Sequence, residues 1–314
     1  MIFCSFISGT VSELQFLVPW GHIAAKAWGS PKGRPVLCLH GWLDNANTFN
    51  KLIPLLPRDC YYMAIDLGGH GLSSHRPVGS LYYLMDYVGD VRRVTAALKW
   101  NRFTLMGHSM GGTVAGMFSC VFPELVEKLI LVESYGFYPA AKESEKILLF
   151  KRAMIEHLLK TEANSLLSPK VYTPEAALQR LLEANRSLTE ESGKILLERG
   201  TAEVPGGLVF TRDLRIHMNV YGYTSADEPV NYLRKIQADI LMIISQNGLF
   251  KKDSDVFRAD FFMRIHQGYK TFLKEHFNLV SVPGNHYVHL NEPEVVAGII
   301  STFLTKDHSL KARL

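Results

Sequence analysis

The stretch Phe103-Thr104-Leu105-Met106-Gly107-His108-Ser109-Met110-Gly111-Gly112-Thr113-Val114-Ala115 decides how the rest of the chain is read. A short apolar run, Phe103–Met106, stops at a glycine, and a helical pattern, Met110–Phe122, starts directly after a serine. Gly107-His108-Ser109-Met110-Gly111 therefore fits Gly-x-Ser-x-Gly in the strand-turn-helix setting that gives the motif its meaning. A Cβ at either flanking glycine would strike the neighbouring strand or helix. The serine sits on a strained turn with its hydroxyl raised above the sheet. The amide of Met110, at the helix start, points toward the place where an oxyanion would form.

Outward from this turn the same rhythm repeats. Two antiparallel strands, Leu14–Val18 and Ile23–Trp28, flank a turn at Pro19-Trp20-Gly21-His22. Continuous apolar runs follow: Val36–Leu39 ending at His40-Gly41, Tyr61–Ile65 at Asp66, Lys128–Val132 at Glu133, Ile240–Ile244 at Ser245, and Phe277–Val282 at Pro283-Gly284. Such runs suit strands buried on both faces of a parallel sheet. Helical patterns at Met85–Leu98, Met110–Phe122 and Pro293–Phe303 alternate with them. Polar residues gather just after the strands, at the edge where open α/β sheets bind ligands. From Tyr135 to Lys235 no buried strand is legible. Helical patterns at Lys146–Lys160, Pro174–Ala184 and Glu190–Arg199 and a break at Pro205-Gly206-Gly207 fill that stretch. The expected organisation is a core of residues 1–134 and 236–314 with a helical cap subdomain at 135–235.

A serine at such a turn needs a base. His286, in Gly284-Asn285-His286-Tyr287-Val288-His289 after the last strand, is placed to reach it, with His289 as the rival. His286-x-x-His289 also has the spacing of two metal ligands, but no third or fourth ligand accompanies it, so no metal is expected. The base needs a carboxylate to hold its tautomer. Glu133, directly after Lys128–Val132, is the first candidate, and Asp253 and Asp255 are the alternatives. Asp66, in Asp66-Leu67-Gly68-Gly69-His70-Gly71-Leu72-Ser73, is read as organising a tight loop.

The ordered set, His-Gly after the third strand, Asp-x-x-Gly-His-Gly-x-Ser after the fourth, the serine turn after the fifth and the late Gly-x-His, resembles the α/β-hydrolase superfamily over nearly the whole chain. His40-Gly41-Trp42-Leu43-Asp44-Asn45 is similar, more narrowly, to the vertebrate serine hydrolase-like proteins. The resemblance implies a mostly parallel eight-stranded sheet flanked by helices, with a helical cap after strand six. In that fold the residue after His-Gly supplies the second oxyanion amide, which here is Trp42, beside Met110. Many relatives carry the acid a few residues after strand seven. Here Ser245-Gln246-Asn247-Gly248 has none, and Gly248 occupies the expected slot. A group of haloalkane dehalogenases carries it at the end of strand six, where Glu133 stands. Ser109 argues against dehalogenase or epoxide-hydrolase chemistry, whose nucleophiles are Asp.

The expected reaction is hydrolysis of an ester or thioester with a hydrophobic acyl group, without a cofactor. A hydrolase-fold binding protein without activity, and C–C hydrolysis or perhydrolysis by the same residues, remain as alternatives. A net charge of +4 without a Lys/Arg block excludes a nucleic-acid partner. No apolar run reaches a membrane span. The apolar start lacks a basic lead, so secretion is not expected, and the sequon Asn185-Arg186-Ser187 is read as chance. Cys4, Cys38, Cys60 and Cys120 show no paired spacing and read as free thiols of a reducing compartment. Ala312-Arg313-Leu314 resembles a peroxisomal signal, so the peroxisome, the cytoplasm or both are the expected location and an import receptor the expected partner.

Overall fold

The computed structural model describes residues 2–8, 11–139, 144–164, 169–217, 225–251 and 256–306, with 2–8 and 144–145 described by backbone alone. Asp253, Asp255 and Ala312-Arg313-Leu314 lie outside the described residues.

The strands are β1 (Ile2–Ser8), β2 (Val11–Val18), β3 (Gly21–Trp28), β4 (Arg34–Leu39), β5 (Cys60–Ile65), β6 (Phe103–His108), β7 (Val126–Val132), β8 (Thr201–Val204), β9 (Gly207–Phe210), β10 (Asp239–Asn247) and β11 (Phe277–Asn285). The helices are α1 (Leu84–Ala97), α2 (Met110–Val121), α3 (Ser144–Asn164), α4 (Pro174–Ala184), α5 (Glu190–Gly200), α6 (Asp227–Leu233), α7 (Val256–Leu273), α8 (Val288–Asn291) and α9 (Glu294–Thr305). Nine strands form one sheet in the order β1-β2-β3-β5-β4-β6-β7-β10-β11. From β5 to β11 neighbours run parallel, while β1, β2 and β3 form an antiparallel edge. The eight strands expected from the apolar runs are all present. The ninth, β1, extends the antiparallel edge.

The continuous apolar runs are continuous because each parallel strand feeds two cores by turns. Leu37, Leu39, Leu105, Leu129, Leu131 and Met242 face one side, packing with Val91, Val114 and Phe261 of α1, α2 and α7. Val36, Cys38, Met106, Ile130, Val132 and Ile243 face the other, packing with Ile300 and Phe303 of α9. The chain leaves β4 for β5 on one side and reaches β6 on the other. Order reverses at β4, which opens a crevice between the loops that follow β4 and β6.

Between β7 and β10 lie α3 to α6 and, in place of an all-helical run, the hairpin β8–β9. Its strands are short and half-exposed, so no apolar run marks them, and the Pro205-Gly206-Gly207 break is their turn. Arg199 of α5 ties this insert to the core. Its Nε donates to Asp66 Oδ2 at 2.8 Å and its Nη1 to both oxygens of Glu13 at 2.8 Å. Asp66 also accepts from the amides of Ala46 and Leu72, so it does organise its loop. A small apolar cluster of Leu188, Leu196, Tyr287 and Leu290 packs the insert onto the loop after β11.

Candidate active site

Ser109 links β6 to α2 with φ +52° and ψ −117°, a conformation L-residues rarely adopt. The backbone is held there from both sides. A Cβ on Gly107 would lie 2.3 Å from the Gly111 carbonyl oxygen, and one on Gly111 would lie 2.2 Å from that of Leu39. β6, α2 and β4 thus approach too closely for any side chain at the two glycines. The Ser109 amide donates to the Val132 carbonyl at 3.0 Å, fixing the turn to β7.

His286 Nε2 lies 3.0 Å from Ser109 Oγ, and His286 Nδ1 lies 3.0 Å from Glu133 Oε2. With Nδ1–H donating to the carboxylate, Nε2 is free to accept the serine hydroxyl proton. Burial, first, lowers the His286 pKa below the ordinary imidazole value; the Glu133 hydrogen bond opposes it and His108 adds to it. The ring is neutral at neutral pH.

Glu133 is fully buried at the end of β7. It has a positive φ of +50°, and its amide donates to the Ile243 carbonyl of β10 at 2.8 Å. Its Oε1 accepts the Ser245 amide at 2.5 Å and its Oε2 the Leu249 amide at 2.9 Å. Burial pushes the carboxyl upward, but the His286 bond and these two amides outweigh it, holding it below the usual range and ionised. A Cβ on Gly248 would sit 2.1 Å from Glu133 Oε2. The carboxylate fills the volume a side chain at 248 would need.

The rival His289 turns away from the serine. Its Nε2 lies 2.8 Å from Thr48 Oγ1, and its ring packs 4.0 Å from that of His108. Among the described residues no three His, Cys, Asp or Glu side chains group as a metal site.

Gly41, Trp42, His108, Ser109, Met110, Phe137, Tyr138, Phe250 and His286 are among the residues around a cavity of about 340 Å³. Trp42 and Met110 border it from the two sides of the crevice. The Trp42 indole donates to the Ile216 carbonyl at 2.8 Å, which anchors the ring to the insert. The apolar walls come from Phe137, Tyr138 and Phe250, with Ala184 and Asn185 at the end of α4.

Behind the base lies a network with no local signal in the sequence. The Tyr287 hydroxyl donates to Asp44 Oδ1 at 2.9 Å and accepts from Asn185 Nδ2 at 2.7 Å. Asn285 and Asn291 both donate to the Ser187 carbonyl, at 3.0 and 2.8 Å. His108 Nε2 donates to the His286 carbonyl at 2.9 Å. The loop carrying the base is clasped between the serine turn and the insert. Asn185, read as a chance sequon, is one of its fasteners.

A sequence model for the alpha/beta hydrolase fold matches residues 34–293. The chain belongs to the α/β-hydrolase family. It is 51% identical over 308 residues to Serine hydrolase-like protein 2 of Homo sapiens, covering 98% of each chain. It is 34% identical to a probable serine hydrolase of Drosophila melanogaster, covering 93% of this chain and 87% of that one. Among solved structures it is similar to a thioesterase domain from the curacin biosynthetic pathway. The TM-score is 0.76 at 25% identity, over 93% of this chain and 99% of that one. As an α/β-hydrolase the protein takes a small-molecule substrate. No helix among the described residues is long and apolar enough to cross a membrane.

Proposed function

We propose that this α/β-hydrolase is a serine hydrolase of esters or thioesters with an apolar acyl group. The observation that carries the reading is the unbroken line from Ser109 Oγ through His286 to Glu133, with both links at 3.0 Å. His286 Nε2 takes the hydroxyl proton as Ser109 Oγ attacks the acyl carbonyl. Glu133 stabilises the resulting imidazolium. The amides of Trp42 and Met110 receive the negative charge on the carbonyl oxygen. The imidazolium returns its proton to the departing alkoxide or thiolate, leaving an ester on Ser109. Water, deprotonated by the same imidazole, then attacks that ester, releases the carboxylic acid and restores Ser109. The aromatic walls of the cavity suit an apolar acyl chain, and the likeness to a thioesterase domain supports the thioester among the possible bonds.

A fluorophosphonate probe tests the reading. The expected result is stoichiometric labelling at Ser109 and turnover of p-nitrophenyl butyrate, both abolished in Ser109→Ala. A folded protein that takes no label and turns over neither that ester nor an acyl thioester overturns it.

A further inference from the structure

The insert places a basic corner beside the cavity, and nothing in the reaction above uses it. Arg212 follows β9 with its guanidinium 4.6 Å from the Phe210 ring. Arg180 of α4 and Lys170 stand 5.6 and 5.0 Å from the Tyr172 ring. Tyr172 and Phe210 meet edge to face at 5.6 Å, and the Tyr172 and Leu208 backbones bond to each other. The corner is a built unit in which two aromatic rings carry three cations.

Among the described residues no carboxylate forms an ion pair with Lys170, Arg180 or Arg212. The Arg212 Nε is sealed from solvent and has no hydrogen-bond partner among the described residues. Asp44 lines a narrow cleft with Arg212, but its Oδ1 accepts from the Tyr287 hydroxyl. A partly buried guanidinium without an acid is costly, and such a charge persists where a ligand supplies the anion. Arg212 is held below its ordinary pKa by burial first and by Arg180 second, which agrees with two cations sharing one space.

The corner connects to the cavity by two routes. Arg180 lies one helical turn before Ala184 on the same face of α4, and Ala184 lines the cavity that holds Ser109. On the other side the His217 ring stands edge-on to Trp42 at 6.1 Å. His217 is pushed down to about 4 by burial, then by Arg212, His157 and Arg180. It is neutral at neutral pH, and the positive charge there belongs to the arginines.

We propose that Arg180 and Arg212 form an anion subsite at the cavity mouth that holds a phosphate on the leaving group of an acyl substrate. This rests on the ester or thioester reading and specifies its substrate class. Arginine suits the task because its fork makes paired, charge-assisted bonds to phosphate oxygens. Two sources share this chemistry: an acyl thioester of a phosphorylated carrier and a lysophospholipid.

The test compares octanoyl-CoA with octanoyl-N-acetylcysteamine, which presents the same bond without phosphate, and 1-oleoyl-lysophosphatidate with 1-monooleoylglycerol. In Arg212→Gln and Arg180→Gln the KM for the phosphate-bearing member of one pair rises about tenfold with kcat within about twofold. Constants for the neutral member stay unchanged. The pair that responds names the source. Equal loss on charged and neutral members, or no loss on either, overturns the subsite. Arg212→Gln removes an unpaired charge, so its Tm is expected to equal or exceed that of the parent. If no substrate is turned over, the hydrolase reading fails and the subsite is judged by thermal shift with CoA. A rise in Tm for the parent but not for Arg212→Gln supports it, and no rise in either overturns it.

Discussion

The ends of β7 and β10 lie side by side, Val132 opposite Ile243, and each leads toward the same imidazole. One carries a carboxylate, Glu133, and the other carries Gly248. The two are mutually exclusive, since the Glu133 carboxylate stands where a side chain at 248 would begin. On the proposed mechanism, the lesson is that the base needs an acid at a point in space and not at a position in the chain. Two neighbouring strand ends reach that point. The amides of Ser245 and Leu249, which bracket Gly248 in sequence, grip whatever carboxylate arrives.

The largest way to break this comparison is to neutralise the acid. Glu133→Gln is expected to lower kcat by about a thousandfold or more, because the imidazole loses both its tautomer and its counter-charge. Steady-state kinetics on a nitrophenyl ester checks it, and a loss below about tenfold would sink the assignment. Gly248→Asp in the parent is expected to cost activity and Tm together, since two carboxylates compete for one volume. The same substitution in a Glu133→Gly background sharpens the point. It is expected to recover at least about tenfold over Glu133→Gly alone, as read by kcat/KM, with the acid now delivered from β10.

Protonation gives a third, smaller effect. Burial holds His40, His70, His286 and His289 below the ordinary imidazole value of 6.5. The unfolded chain takes up protons below about pH 6.5 that the folded chain refuses, so their stabilising contribution is present above that pH and is lost as pH falls through it. Urea midpoints at pH 7.5, 6.5 and 5.5 are expected to fall in that order. An unchanged midpoint would show that these rings are not kept neutral. The smallest effect belongs to the clasp behind the base. Tyr287→Phe removes one hydroxyl from between Asp44 and Asn185 and is expected to lower kcat a few-fold, about 1 kcal/mol of positioning, with fluorophosphonate labelling slowed in parallel.

Much of this was legible in the sequence for a physical reason. Strands that feed two cores have no polar face, so Val36–Leu39 or Ile240–Ile244 stands out as an unbroken apolar run. Ser109 and its glycines are legible because close backbone approach admits nothing else. His286 and Glu133 follow from lying just past strands on the correct edge. What stayed hidden lacks a period. β1 pairs only at an antiparallel edge, and β8 and β9 span four residues each at the surface. The Asn185–Tyr287–Asp44 chain joins residues 102 and 243 positions apart, and no local pattern announces such a meeting. The two arginines beside Tyr172 and Phe210 escaped for the same reason.

Arg199 carries a consequence for traffic through the molecule. Its buried guanidinium is shared between Asp66 after β5 and Glu13 of β2, far from the reacting atoms. Swinging the insert away would part this guanidinium from a fully buried carboxylate and from a second one that is partly exposed. The roof is bolted down. On the function proposed above, acyl substrates would thread past a tied-down insert to Ser109, and chain girth and length there, more than any hinge, would set which acyl groups are admitted.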